Sequence, residues 1–115
     1  MSLKEKILIA DDSEMNQMLL EEILSDKYEY VMAKDGTEAV DILEKNDDID
    51  LVMLDINMPK MDGFGVLEVM NLRHWISEVP VIIISSENDV DFIRRSYDLG
   101  ASDYISRPVS YTHLR

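Results

Sequence analysis

The sequence predicts an α/β fold built on a parallel sheet with helices covering both faces. Five short apolar runs alternate with longer stretches in which apolar residues recur every three or four positions. Uninterrupted apolar runs are typical of strands buried on both faces, and helical stretches between them suit the crossovers of βαβ units. At 115 residues the chain is long enough for one domain with a single core.

The predicted strands lie near residues 6–10, 28–33, 49–54, 80–85 and 103–106. The first predicted helix lies between the first two strands. Its apolar residues recur at spacings of three and four, namely Met15, Met18, Leu19 and Ile23. Asp12 or Ser13 precedes this stretch, and either side chain suits the N-cap position.

Three further helices are predicted between the remaining strands. The second follows the Asp35-Gly36 turn with Thr37 as its cap, and the third follows residues 59–63. The fourth runs from about residue 87 to residue 99, and Gly100 ends it. The predicted inward faces are, in order, Ala39, Val40 and Leu43; Val66, Leu67, Val69 and Met70; and Val90, Ile93 and Tyr97.

Composition excludes several classes of function. With 24 acidic and 11 basic residues the net charge is −13, which argues against direct binding of nucleic acids or anionic membranes by this domain. The absence of cysteine excludes disulfides and zinc-thiolate sites and fits a cytoplasmic, bacterial-type protein. No apolar run approaches the roughly 18 residues of a membrane span, and no signal peptide is evident.

Acidic side chains follow two of the predicted strands. Asp11 and Asp12 come directly after the first strand, and Asp55 follows the third. Ligands of open parallel sheets bind beyond the carboxyl ends of the strands. Ser85 and Arg107 end the fourth and fifth strands, so this edge can hold a divalent metal beside a phosphoryl group. Taken singly, each acid is more often a helix or turn cap, and Ser85 a polar strand end.

Four segments together resemble the receiver domain of two-component response regulators. They are residues 7–12, 51–63, 82–86 and 100–108, and they occur in the family's order at the predicted strand ends. The resemblance implies a flavodoxin-like, doubly wound five-stranded sheet of order 2-1-3-4-5. It also implies a switch whose aspartate accepts a phosphoryl group from a histidine kinase.

The resemblance assigns a role to each acidic position. Asp55 matches the phosphoacceptor, and Asp12 matches the direct ligand of a Mg²⁺ ion, for which Mn²⁺ is an alternative. Asp11 is implied to act mainly through metal-bound water, and Asn57 to offer its backbone carbonyl. Two carboxylates and a carbonyl, together with Asp55, form a plausible partial shell for an ion that prefers six oxygen ligands.

The remaining site residues are assigned through the same resemblance. Ser85 matches the hydroxyl that bonds the phosphoryl oxygen, and Tyr104 matches the aromatic residue that turns inward with it. Asn57 and Glu87 occupy positions that tune the phosphoryl lifetime. Arg107 departs from the family, which usually has lysine there, and guanidinium and ammonium groups are not interchangeable. Either Arg107 replaces that lysine or the switch is weakened.

Three functions therefore compete. The first is a phosphorylation-dependent switch that catalyses only its own phosphorylation and dephosphorylation. Its implied partners are a sensor histidine kinase or phosphotransfer protein and an output domain or partner protein. The second, a phosphohydrolase, is disfavoured because Asn57 stands where a general acid is needed. The third is a pseudo-receiver that binds partners with weakened phospho-switching, and Arg107 supports it.

The C-terminus predicts an incomplete fold. Residues 109–115 lack an amphipathic period and are too few for a packed helix, so we expect the final helix to be missing. The expected domain spans residues 4–109, and residues 110–115 form a truncated or non-native tail. Because the first and last helices of the family share one face of the sheet, this predicts homodimers, exchanged elements or low stability.

Overall fold

A computed structural model describes residues 5–24, 27–85 and 89–106 of the chain. Its five strands are β1 (Glu5–Ala10), β2 (Tyr28–Ala33), β3 (Leu51–Leu54), β4 (Val81–Ser85) and β5 (Asp103–Ser106). All four pairings are parallel, and the strand order is β2-β1-β3-β4-β5. The predicted fold class and strand order are therefore confirmed. The predicted strand bounds agree with the structure to within two residues.

Four helices connect the strands. They are α1 (Glu14–Leu24), α2 (Gly36–Lys45), α3 (Gly63–Leu72) and α4 (Val90–Asp98), and a 3₁₀ turn spans Trp75–Ser77. The expected absence of a final helix and the predicted tail at 110–115 concern residues that lie outside the described ranges. Within those ranges, the structure contains no helix that combines the length and the apolar character needed to cross a bilayer.

The sheet is buried on both faces, which explains its uninterrupted apolar runs. Leu8 belongs to a large core cluster, whereas its neighbours Ile7 and Ile9 belong to a smaller one with Leu20 of α1. Successive side chains of a strand point to opposite faces, so every residue of such a run meets a core. The larger cluster takes in residues of α2 and α3, so helices pack against both faces of the sheet.

A short polar side chain caps each of the four helices, and in α4 this is Asp89, which accepts the Asp91 N–H at 2.8 Å. Ser13 caps α1, since its Oγ accepts the Asn16 N–H at 3.3 Å. The predicted cap of α2 was wrong. Asp35 caps this helix by accepting the Glu38 N–H at 2.8 Å, and the Thr37 hydroxyl donates to the same oxygen at 2.6 Å. Asp62 caps α3 by accepting the Gly65 N–H at 2.8 Å.

The predicted buried stripe of α4 was wrong at two of its three positions, since only Ile93 is half-buried. Val90 is 65% exposed and Tyr97 is 45% exposed. The helix turns Phe92 inward instead, where its ring stacks on Phe64 of α3 with centroids 5.6 Å apart. Ser96, one turn later, is fully buried, and its hydroxyl is satisfied by donating to the Phe92 carbonyl at 2.8 Å. A satisfied hydroxyl can occupy a core position that an apolar pattern does not reveal.

The exposed part of α1 likewise departs from a simple apolar stripe. Met15 and Met18 are 72% and 68% exposed, whereas Leu20 is 4% exposed. The helical spacing correctly predicted the helix. Its buried contact with the sheet is made by Leu20, which packs with Ile7 and Ile9 of β1.

The corrected inward face of α4 has a measurable consequence. We expect Phe92→Ala to lower the free energy of unfolding by about 2 kcal/mol, below the roughly 3–5 kcal/mol found for fully buried phenylalanines. Phe92 is only half-buried, which reduces the loss. The matched Val90→Ala change should cost less than about 0.5 kcal/mol. Urea unfolding measures the loss of stability in both variants. A larger loss for Val90→Ala than for Phe92→Ala would support the predicted inward face of Val90, Ile93 and Tyr97.

Candidate functional site

Three carboxylates meet at the carboxyl edge of the sheet. Asp11, Asp12 and Asp55 each offer an oxygen, and these three oxygens lie within 4.8 Å of one another. The register explains this, because Ala10 of β1 pairs with Leu54 of β3 and the residues that follow are placed side by side. The Asp55 N–H donates to the Ala10 carbonyl at 2.9 Å and extends that pairing by one residue.

The first carboxylate is held by the start of α1. Asp11 is 1% exposed, and its Oδ1 accepts the Ser13 N–H at 2.9 Å. Its N–H donates to the Ala33 carbonyl at 3.0 Å, and the Gln17 side chain donates to the Asp11 carbonyl at 2.6 Å. Asp12, in contrast, is exposed. One buried and oriented acid therefore stands beside one that solvent reaches.

Three carboxylates at this spacing suit a hard divalent cation. Their mutual repulsion is strong because Asp55, like Asp11, is almost fully buried, at 5% exposure. Carboxylate oxygens are the ligands that Mg²⁺ and Mn²⁺ prefer in proteins. Asn57, two residues after Asp55, is exposed on the loop that leads to α3. The chemistry of this set of oxygens therefore fits the metal that the sequence predicted.

Two further predicted residues lie on neighbouring strands. Ser85 is the last residue of β4 and is fully buried. Because Leu54 pairs with Ile83, Ser85 lies at the same edge of the sheet as Asp55. Tyr104 lies within β5, is half-buried and also pairs with Ile83. These strand positions agree with the predicted roles, and the switching movement itself stays a prediction.

Two predicted site residues fall outside the described part of the chain. They are the cation Arg107 and the lifetime residue Glu87. The structure therefore brings the three carboxylates together and places Ser85 at the same edge of the sheet. The roles given to the cation and to Glu87 depend on the sequence alone.

Sequence reasoning missed a contact between the β2–α2 turn and the loop after Asp55. The Gly36 N–H donates to the Met61 carbonyl at 3.0 Å, and Lys60 Nζ lies 3.8 Å from an Asp35 oxygen. Hydrogen bonds from the Thr37 hydroxyl and the Glu38 N–H hold the pKa of Asp35 below its ordinary value, with a smaller contribution from Lys60. The sequence signal is the Asp-Gly pair, which predicts a turn but not the segment that the turn contacts.

Comparison with known proteins agrees with this architecture. Residues 7–115 match the response regulator receiver domain. A probable transcriptional regulator, ycf27, of Porphyridium aerugineum is 41% identical over 112 residues, which are 96% of this chain and 45% of that protein. Response regulator RR06 of Streptococcus pneumoniae serotype 2 is 39% identical over 111 residues, 94% of this chain and 48% of that protein. The chain thus spans about half the length of these relatives.

A solved structure agrees as well. The phosphorylated cyanobacterial phytochrome response regulator RcpA superposes with a TM-score of 0.86 at 30% identity, covering 96% of this chain and 86% of that one. The strand order, the acidic cluster and these matches all lead to one family. This chain belongs to the response regulator receiver domains of two-component signalling, and its fold is flavodoxin-like.

Proposed function

We propose that this receiver domain is a phosphorylation-dependent switch that accepts a phosphoryl group on Asp55 with Mg²⁺. The observation that carries the proposal is the cluster of Asp11, Asp12 and Asp55, whose oxygens lie within 4.8 Å of one another at the carboxyl edge of the sheet. A carboxylate is a poor nucleophile toward an anionic phosphoryl group unless positive charge offsets the repulsion. Receiver domains bind Mg²⁺ at an acidic cluster of this kind.

In the proposed reaction an Asp55 oxygen attacks the phosphorus of a phosphohistidine. The new P–O bond forms as the P–N bond breaks, and the histidine nitrogen leaves with the electron pair. When bound, Mg²⁺ would supply positive charge that offsets the repulsion between the two anions. Asp12 would be its direct ligand, Asp11 would act through a bound water, and Asn57 would offer its carbonyl. Mn²⁺ has the same preference for oxygen and should substitute for Mg²⁺.

Phosphorylation is then proposed to alter two neighbouring strands. The Ser85 hydroxyl would donate to a phosphoryl oxygen, which its place at the end of β4 supports. Tyr104 would turn inward from β5 as that hydroxyl moves. Asn57 and Glu87 would govern how quickly water removes the phosphoryl group, and their polar side chains suit a short lifetime. These residues would serve the domain's own phosphorylation and dephosphorylation and no external substrate.

Arg107 defines the competing proposal. In the first proposal its guanidinium binds the phosphoryl oxygens, because a planar guanidinium can donate two parallel hydrogen bonds to them. In the second, its longer and flatter head group weakens the coupling to Ser85 and Tyr104, and the domain binds partners as a pseudo-receiver. Mg²⁺-dependent phosphoryl uptake at Asp55 separates the two proposals, because a pseudo-receiver binds its partners without phosphorylation and should show no such uptake.

The proposed partners follow from the same chemistry. The donor would be a sensor histidine kinase or a phosphotransfer protein in the cytoplasm, and the phosphorylated domain would act on an output domain or a partner protein. Relatives about twice as long as this chain support an attached output domain.

The proposed function is tested with a small phosphoryl donor. We expect acetyl phosphate to add one phosphoryl group in the presence of Mg²⁺ or Mn²⁺ and none when the metal is chelated. Intact-mass measurements at several times after mixing detect the adduct and its lifetime. Ca²⁺, which is larger and takes more ligands, serves as a control and should support slower uptake. Equal uptake with and without metal would contradict the proposal.

A further inference from the structure

The loop that carries Asp55 is tied to a neighbouring turn of the sheet. Residues 55–62 join β3 to α3, and the Gly63 N–H closes the base of this loop by donating to the Ile56 carbonyl at 2.8 Å. Farther out, the Gly36 N–H donates to the Met61 carbonyl at 3.0 Å. The start of α2 is therefore bonded directly to the outer part of the phosphoacceptor loop.

The approach between these two backbones is unusually close. A Cβ at Gly36 would clash with the Met61 carbonyl oxygen and would lie 2.7 Å from the Met61 Cβ. Neither atom is the end of a flexible side chain, so any larger residue at position 36 must displace the loop. Glycine at position 36 is thus required by the contact with Met61 and not by its own backbone conformation.

Asp35 adds a second contact with the same loop. Asp35 is 6% exposed, and its carboxylate is oriented by the Thr37 hydroxyl at 2.6 Å and the Glu38 N–H at 2.8 Å. Its second oxygen lies 3.8 Å from Lys60 Nζ. Lys60 has a φ of 69°, a left-handed conformation that is unfavourable for lysine and needs support from its surroundings.

We propose that Asp35 and Gly36 are positioning residues for phosphoryl transfer to Asp55. By holding Lys60 and Met61, they keep the loop, and with it Asp55 and Asn57, in the arrangement that the reaction needs. Displacements of about 1 Å at a reacting group can cost on the order of 100-fold in rate. This inference depends on the proposed function, because it concerns the rate of the same reaction.

The test compares two glycine-to-alanine variants. Gly36→Ala forces the Met61 backbone aside, whereas Gly65→Ala meets the Met61 side chain, whose Cγ lies 2.6 Å from the new Cβ and can rotate away. Both glycines lie in the first turn of a helix, where alanine has the better helix propensity. We expect Gly36→Ala to slow uptake from acetyl phosphate by about 10- to 100-fold and Gly65→Ala by less than about twofold.

Two further measurements distinguish positioning from a general loss of structure. Thermal melting should show both variants folded at the assay temperature. The Mg²⁺ concentration that gives half the maximal rate should change less than the maximal rate itself in Gly36→Ala, because Asp11 and Asp12 follow β1 and are not part of the displaced loop. A wild-type rate in folded Gly36→Ala would overturn the positioning role. No uptake by the wild-type protein would instead overturn the proposed function.

Asp35→Asn tests the inference through a variant that retains the helix cap. Asparagine caps helices about as well as aspartate, so α2 should remain in place. Removing a negative charge favours the approach of an anionic donor, so electrostatics alone predicts an unchanged or faster rate. We expect a rate about twofold to threefold slower, because Lys60 loses its partner. An unchanged or faster rate would overturn the role of Asp35, even if Gly36→Ala does not fold.

Discussion

Asp55→Asn is expected to abolish phosphoryl uptake while leaving the domain folded. An amide has the shape of a carboxylate but lacks the nucleophilic oxygen, so the reaction loses its acceptor and not merely part of its rate. The buried position of Asp55 after β3 also tolerates the change in size, because the two side chains have nearly the same volume. Intact mass after treatment with acetyl phosphate and Mg²⁺ measures the outcome.

The matched control for this variant is Asp47→Asn. Asp47 is exposed in the segment that precedes β3, at the opposite edge of the sheet, and its replacement removes the same charge. We expect its uptake to equal that of the wild-type protein. If Asp55→Asn gains the same mass as the wild type, the phosphoryl group goes to another residue and the assignment of Asp55 is wrong.

Asp12→Asn is expected to produce the second-largest loss, in metal affinity. The proposed direct ligand is a charged oxygen, and an amide oxygen is a weaker ligand for a hard cation. Changes to groups that only support a metal ligand cost roughly 10- to 100-fold in affinity, so loss of the ligand charge should cost at least about 100-fold. Asp12 is exposed, so the fold should tolerate the replacement.

Calorimetric titration with Mg²⁺, in the absence of a phosphoryl donor, measures this loss directly. Uptake from acetyl phosphate should fall in parallel and recover in part at high Mg²⁺ concentration. Asp47→Asn again controls for the change in net charge. Unchanged Mg²⁺ affinity in Asp12→Asn would show that the metal is held elsewhere, whatever happens to the rate of uptake.

The sequence by itself determined the architecture and the acidic part of the site. Uninterrupted apolar runs predicted the strands because a sheet covered on both faces buries every side chain of a strand. The positions of Asp11, Asp12 and Asp55 predicted their meeting point, since parallel strands end at one edge of the sheet. Resemblance to a family supplied the strand order 2-1-3-4-5, which local patterns alone do not specify.

Only the tertiary structure decided which helix faces are buried and what supports the phosphoacceptor loop. In α4, the sets 90-93-97 and 92-96-99 both have helical spacing, so the period does not choose between them. The set that contains Phe92 is the buried one, because the Phe92 ring stacks on Phe64 of α3. The bond from Gly36 to Met61 joins residues far apart in the sequence. Such contacts depend on how separate elements pack together, and a pattern within one element does not encode that.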